Sequence, residues 1–457
     1  MYKLYLSLFI ISSAYSQTID FNEVLDLTLK NSKDLKNQKL DIDLSKLDIN
    51  KVDSVSYGKL SFEEQINRTN HAGYVFNSKL SSREATFNDF GAAQYTGANS
   101  LYIQPENLNY PKDRNNFDTK LNYDIPLFTG FELTNQKDVL KLKKKVYELK
   151  YNLNKDQLSY EVLKAYNAAV VAKEFIQAAK KAKESIIYVK KTANAFHKEG
   201  LVTKIDVKQA KVYESNVNSK HIDAQNKFDS ALAYLKFLTS NDKITDVKEL
   251  KYIKLKSLDF NTLYKNALIN KNSLKMQSLN KKITKKNIDI ANSKYYPTVY
   301  SHLEYGFNDN KLSLSDDKDY YNAMIGLKYT LFDNTRNIDK QKSQIQYQQS
   351  SLNYEKLKDF TKLELKKALL ELKSKEKILK EKKEALNLSN EIYKQSQLMY
   401  KNHLIAMTNL LDQEAKLRNS QAELILAKYE KSLVLANITL IAGDSFIQNS
   451  TNTKETK

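Results

Sequence analysis

From Phe131 to Glu199 the chain runs without a single glycine or proline. Read as one α-helix rising 1.5 Å per residue, that segment would be about 100 Å long, more than a compact domain of this size has room for. "KEGLVTKID" at 198–206 then reverses the chain into a second long helical pattern ending near Ser240, and "KNHLIAMTN" at 401–409 does the same for another pair of helices. With 9 Gly and 4 Pro in 457 residues there are few places to turn, so the elements must be long. The class this predicts is mainly α with a small β part, built on long antiparallel helical hairpins.

The β part lies around the prolines. Pro105, Pro111, Pro126 and Pro297 all sit in or beside strand-like segments. In "LNYDIPLF", Leu121, Tyr123, Ile125 and Leu127 alternate before Phe128 and Gly130; in "IGLKYTLF", Ile325, Leu327, Tyr329 and Leu331 alternate before Phe332. Both are strand patterns, and a long helical stretch follows each. The two phrases are copies, 204 residues apart from Leu127 to Leu331. An earlier pair, "IDFNEVLDLTLKNSKDLK" (19–36) and "LDFNTLYKNALINKNSLK" (258–275), shares seven identical positions at a spacing of 239, from Asp20 through Lys36. The first copy therefore holds 35 more residues (239 − 204) ahead of its second strand. They fall around 71–100, rich in Gly, Asn, Ser and aromatics, which shows no helical period and reads as a loop.

The organisation is then a secretory signal peptide (1–16), two repeats and a polar tail (446–457). The first repeat, 17–245, holds a helix, strands near 57–66 and 119–128 flanking a long loop 67–118, and a helical hairpin 131–240. The second, 246–445, holds a helix 258–293, strands near 297–307 and 321–332, and a hairpin 334–443.

Four strands of about ten residues can cross a bilayer when tilted, but they are too few to close a barrel. Either several chains pool them or the sheet is a small soluble one. Tyr57, Tyr123, Tyr295, Tyr296, Tyr320, Tyr321 and Tyr329 at their ends suit an interfacial girdle, or simply β preference. The return helices carry seven-residue spacing: Ala210, Val217, Ala224, Ala231 and Leu238 in the first; Leu410, Leu417 and Leu424, with Ala415, Ala422, Tyr429, Ala436 and Gly443, in the second. Such spacing implies left-handed coiled packing. Two stripes offset by five residues lie roughly 140° apart, so that helix needs a neighbour on each side, as in a ring of helices. An ordinary coiled-coil bundle is the other reading.

The opening "MYKLYLSLFIISSAYSQ" has Lys3, an apolar run through Ile11 and the small-x-small site Ala14-Tyr15-Ser16, the grammar of a signal peptide cut before Gln17. No later segment has the ~20 apolar residues of a spanning helix, so an exported chain of this kind enters a membrane as a barrel. It has no Cys, which excludes disulfides and a lipidated N-terminal cysteine. The net charge of +19 suggests nucleic acid, yet five of 73 basic residues are Arg, the residue that base and phosphate readers favour; the lysines read as solvated helix surface, with no nucleic-acid partner. His71, His197, His221, His302 and His403 show no ligand spacing, no Gly-rich phosphate loop is present, and neither a catalytic constellation nor a cofactor is expected. "SDDKDYY" (315–321) has the carboxylates for a cation but reads first as a solvated loop.

Taken in order, these segments resemble the TolC-like outer-membrane efflux proteins over essentially the whole mature chain. "GLVTKIDVKQAKVYES" (200–215) is similar to that family's first helical turn and "NHLIAMTNLLDQEAKLRNSQAELILAKYEKSLVLANITLIAG" (402–443) to its second; "PLFTG" (126–130) resembles its strand-to-helix junction and "YYP" (295–297) its entry to the third strand. The resemblance implies a homotrimer in the outer membrane, in contact with its lipid. Twelve pooled strands would form a transmembrane β-barrel, continued by an α-barrel of helical hairpins into the periplasm. It also implies a periplasmic membrane-fusion (adaptor) protein and an inner-membrane pump of RND or ABC type as partners, for drug efflux or type I secretion.

It places hairpin turns at Gly200, Leu201, His403 and Leu404, and strand–helix junctions at Pro126, Leu127, Phe128, Gly130, Pro297, Leu331 and Phe332. It carries a periplasmic gate onto Asp206, Tyr400, Asn409 and Asp412, with Asp412 in an acidic ring. The sequence departs from the family at Asn409, where another Asp is common, at Ile405, where a linking Arg can occur, and at His403, which replaces a glycine. Asp206 also reads as the N-cap of the return helix. The alternative to the channel is a periplasmic structural or adaptor coiled-coil protein.

Overall fold

The structure, a computed structural model, describes residues 17–444 and 446. The expected signal peptide and all but the first residue of the expected tail lie outside the described residues. The described chain orders as β1 (Gln17–Ile19), α1 (Phe21–Asn31), α2 (Lys33–Val55), β2 (Lys59–Thr69), α3 (Ala72–Ser81), α4 (Glu106–Asn109), β3 (Arg114–Phe128), α5 (Glu132–Lys198) and α6 (Lys204–Thr239). It continues as β4 (Ile244–Val247), α7 (Phe260–Asn270), α8 (Asn272–Ser293), β5 (Thr298–Asp309), β6 (Asp319–Lys328), α9 (Thr335–Lys401) and α10 (Met407–Ala442). Among the described residues two compact units arise: 17–42, 146–278 and 351–444 form one, and 43–145 with 279–350 the other.

The first unit is helical around three apolar clusters. Of the heptad positions, Ala210 and Val217 share one cluster with Leu410, Leu417, Met407 and Ile186, the packing that seven-residue spacing dictates. The second stripe of α10 is only partly covered: Ala436 is buried, Ala422 and Tyr429 are half-buried and Ala415 is exposed. The unit also contains a two-stranded parallel sheet that the sequence reading lacks, β1 paired with β4. Its Ile19, Ile244 and Val247 are fully buried with Tyr166 and Leu163 of α5. Three- and four-residue strands are too short to show a period, which is why the pattern is silent there.

The helix expected over 258–293 is two helices. It breaks at Lys271, whose ψ of 115° is extended, as α1 and α2 break at Ser32 with ψ 117°. At the second break Lys271 Nζ reaches Glu364 at 3.1 Å and Asn272 Nδ2 donates to Asp156 at 2.9 Å. The α10 C-cap, Gly443 at φ +73°, passes so near that a Cβ there would lie 2.5 Å from the Lys271 backbone nitrogen, a position open to glycine alone.

The second unit is a four-stranded antiparallel sheet in the order β2-β3-β5-β6, with helical segments. β2 runs 59–69 rather than 57–66, and β6 ends at Lys328, short of the expected 332. The stretch expected as loop over 67–118 contains α3, whose Ser78 hydroxyl donates to Asn116 at 2.7 Å and accepts from Arg114 at 3.1 Å. Arg114 also ion-pairs with Glu84, to which Lys318 donates at 3.1 Å. Short, mixed-polarity helices of this kind are fixed by side-chain ties rather than by an apolar stripe.

Partial burial at the α7–α8 break pushes the Asp156 carboxyl up to about 6. Because the folded form holds its proton more tightly than the unfolded one, this group favours folding most below about pH 4, and that contribution is lost as pH rises to about 6. Asp156→Asn keeps an acceptor for Asn272 and removes the slope. The difference in Tm between Asp156→Asn and wild type should shift in the variant's favour from pH 4 to pH 7; a pH-independent difference would reject this.

Candidate functional site

The sheet has two chemically opposite faces. Because β side chains alternate, the register sets Phe62, Leu121, Tyr305 and Tyr321 side by side across all four strands, beside Leu60, Tyr123, Leu303 and Ala323. Leu60, Phe62 and Ile66 are each 67% exposed and Ile325 75%. The next row over, on the other face, reads Ser61, Asn122, Glu304 and Asn322, then Lys59, Asp124, His302 and Met324. This face ties itself together: Lys120 lies 3.2 Å from Asp118, the Tyr320 hydroxyl donates to Asp118 at 2.9 Å, and the His302 ring meets Asp124 at 2.7 Å.

An exposed apolar face backed by a charged one is the cross-section of a membrane barrel wall, lipid outside and water inside. Glu64 and Thr119 fall on the apolar face and hydrogen-bond to each other. Among the described residues, β2 and β6 each pair on one side only. Of the tyrosines considered for a girdle, Tyr123 and Tyr321 face the apolar side, whereas Tyr320 faces the polar one.

The junctions show how strand becomes helix. Pro126 brings no N–H to the ladder, and the β3–β5 register shifts between Pro126 and Phe128. Gly130 and Phe131 then take φ +63° and +67° before α5 starts. The Phe131 ring stands edge-on to Phe128 at 5.1 Å and to Tyr296, next to Pro297, at 5.4 Å. Leu127 is half-exposed.

The second junction is built differently. Leu331 and Phe332 lie beyond β6 and are almost fully exposed. Here the buried Arg336 gathers carbonyls, donating to Thr330 at 2.9 Å and Lys294 at 3.3 Å, with its guanidinium 4.9 Å from the centre of the Tyr295 ring. Sequence reasoning missed this residue; the signal available was an arginine where this chain ordinarily uses lysine.

At the other end of the long helices the two turns match. Gly200 has φ +73° and His403 φ +58°; Leu201 donates to the Phe196 carbonyl at 2.9 Å and Leu404 to that of Met399 at 2.8 Å, the closure of a left-handed C-cap. His403 accepts the strained backbone with its ring 4.6 Å from Phe196. Leu201 and Leu404 are exposed.

Thr203, not Asp206, is the N-cap of α6; Asp206 stands three residues on and accepts from the Thr203 backbone N–H at 3.0 Å and its hydroxyl at 2.9 Å. Tyr400 is buried, its ring 6.0 Å from Phe196, and its hydroxyl has no hydrogen-bond partner among the described residues. Burial, with the Asp206 charge added, pushes that hydroxyl up to about 12. Asp206 and Tyr400 are thus electrostatic neighbours without a bond. Asn409 and Asp412 are exposed; Asp412 pairs with Lys416 of its own helix at 2.7 Å. Ile405 packs on the apolar cluster near the turns.

The family model for outer membrane efflux protein matches residues 24–241 and 263–444. The chain belongs to that family. The outer membrane efflux protein fold is also that of CusC (TM-score 0.77, 16% identity, 96% of each chain covered). It recurs in the CmeC outer membrane channel of Campylobacter jejuni (0.74, 16%, 95% of this chain and 88% of that one) and in MtrE of Neisseria gonorrhoeae, solved in an open state (0.73, 13%, 93% and 89%). No curated protein matches in sequence. As a member of this family the protein is an outer-membrane efflux channel with a helical periplasmic extension.

In this efflux protein the first junction depends on Gly130, where a Cβ would lie 2.7 Å from the Ser293 carbonyl oxygen as well as meeting a positive φ. Gly130→Ala should cost about 1–3 kcal/mol from the strained backbone alone. Lowered heat resistance of the detergent-extracted protein would show it; an unchanged melting profile would refute it.

Proposed function

We propose that three copies of this chain assemble into one exit duct, passing substrate received from a periplasmic adaptor and an inner-membrane pump of RND or ABC type to the outside. The observation that carries this is the two-faced sheet whose edge strands β2 and β6 each lack a neighbour among the described residues. In a bilayer those free N–H and C=O groups must be paired, and only closure with other strands achieves that. Edge-to-edge pairing of three sheets gives twelve strands, lined by the polar face and wrapped by the apolar one. The partly bare second stripe of α10 supports the same reading, since a neighbour in a helical ring would cover Ala415 and Ala422. Energy comes from the pump.

The periplasmic end is the candidate gate. Asp412 is exposed in the second helical turn of α10, which starts at Met407, where three symmetry copies would ring the axis and favour cations. The internal ion pair with Lys416 tempers that field.

Detergent-extracted protein should run as a trimer by light scattering and raise the conductance of a planar lipid bilayer. A monomer without conductance would sink the proposal. In a salt gradient, Asp412→Ala should lower the cation-to-anion permeability ratio by roughly a factor of two, read as a shift in reversal potential; an unshifted potential removes Asp412 from the gate.

A further inference from the structure

In the four-stranded sheet every passage between strand and helix lies at one end: α2 runs into β2, β3 into α5, α8 into β5 and β6 into α9. Both strand-to-strand connections, 70–113 and 310–318, lie at the other end. With the helices in the periplasm, that end opens to the outside. The two connections are unequal. The second is a short loop, whereas the first carries the insertion of copy one and, within it, α3.

α3 lies over the polar face of the sheet. Its Ser78 binds Asn116, and Arg114 donates to Ser78 and, at 2.8 Å, to Ser82 just past the helix. Lys318 donates to the Ser82 carbonyl at 2.7 Å, and Glu84 takes both Arg114 and Lys318. Alternation along the strands puts Arg114 and Asn116 on the side of Asp118 and Lys120, and Lys318 on the side of Tyr320. Arg114, Lys318 and Glu84 are largely covered, so these ties fasten the helix far better than exposed ion pairs would. Val75, Ser78 and Ser82 are buried. Leu80, about 200° round the helix from Ser78, faces away from the sheet and is 48% exposed, with Gly73 and Asn77 exposed beside it.

The polar face is the inside of the barrel, so α3 stands in the mouth. Twelve strands about 4.8 Å apart and tilted by about 40° close to a barrel about 24 Å across between backbones. Three helices about 10 Å wide, set round one axis, need a circle about 22 Å across. Three copies of α3 therefore occupy most of the opening, with their bare stripes turned toward one another.

We propose that α3 is an exit sieve: three copies, pinned to the lumenal wall through Arg114 and Lys318, converge on the axis at the outer mouth and set the largest solute that leaves the duct. A mouth filled in this way passes small solutes and excludes folded proteins. The β5–β6 connection has no helix, so each chain contributes one such element.

The sieve rests on the three-chain duct, and cysteine chemistry separates the two, because the chain has no Cys of its own. In detergent-extracted Leu80→Cys, a short bismaleimide should join protomers in pairs, seen as a dimer band on a denaturing gel. Ile325→Cys, on the apolar face of β6, should give none. In intact cells Asn322→Cys, an exposed polar-face position deeper along β6 than Lys318, reports entry from outside. A small maleimide should label it whether or not residues 71–112 are replaced by a short Gly-Ser turn. PEG-maleimides of graded size should reach a cut-off with α3 present, and the first excluded size should label about tenfold more once α3 is gone. A Leu80→Cys trimer that does not cross-link, or an unchanged cut-off, would overturn the sieve. So would loss of the trimer on replacing 71–112, which would assign the insertion to assembly. A monomeric wild type, or an Asn322→Cys that no maleimide reaches, would overturn the duct instead.

Discussion

A sheet with one greasy face, one charged face and two open edges has no stable resting place as a separate body in water or in lipid. In water, Phe62, Leu121, Tyr305 and Tyr321 form a contiguous apolar band, of the kind that drives association. In lipid, the unpaired backbone of β2 and β6 costs several kcal/mol per group. Lateral pairing with further strands resolves both difficulties at once. The hydrogen-bonding demand of the strand edges is therefore the constraint on which the proposed assembly depends, and it explains why a mainly helical chain keeps so small a β part.

The helices meet the same demand in another currency. α-Helices satisfy their own backbones, so α5, α6, α9 and α10 associate through side chains alone. Where the partner lies within the chain, the stripes are buried, as Ala210, Val217, Leu410 and Leu417 are. Where none does, as at Ala415, small side chains stay bare. Small residues allow close approach of a neighbour and carry little apolar surface while waiting for it.

What could be read from the sequence follows from the length of each signal. The 67-residue helices α5 and α9 and the alternating strands carry many repeats of their period, and both turns are legible in "KEGLVTKID" and "KNHLIAMTN". The β1–β4 pair is too short to carry a period, and α3 lacks a clean apolar face. The break at Lys271 was hidden because Lys favours helix; tertiary contacts with Glu364, together with the close pass of Gly443, override that preference. Asp206 was placed one role away: an acid near a helix start reads as a cap, and only the backbone shows that Thr203 takes the cap and Asp206 braces it. The hydroxyl of Tyr213 on α6 donates to the buried Glu414 of α10 across 201 residues, so no local pattern joins them.

The arginines answer the question that composition raised. Five among 73 basic residues is too few for a phosphate-reading surface, and each of the five is fixed to this chain. Arg68 pairs with Asp113, Arg83 donates to the carbonyls of Asp317 and Asp319, and Arg114 joins Ser78, Ser82 and Glu84. Arg336 collects carbonyls at the second junction, and Arg418 braces the buried Glu414. These sites call for several donors held in one plane, which a guanidinium provides and an ammonium does not. Lysine, a hydrated point charge on a flexible stem, supplies most of the positive charge on long helix surfaces that stay in contact with water. The choice between the two cations thus marks where the chain must be fastened, and four of the five arginines mark the ends and loops of the sheet.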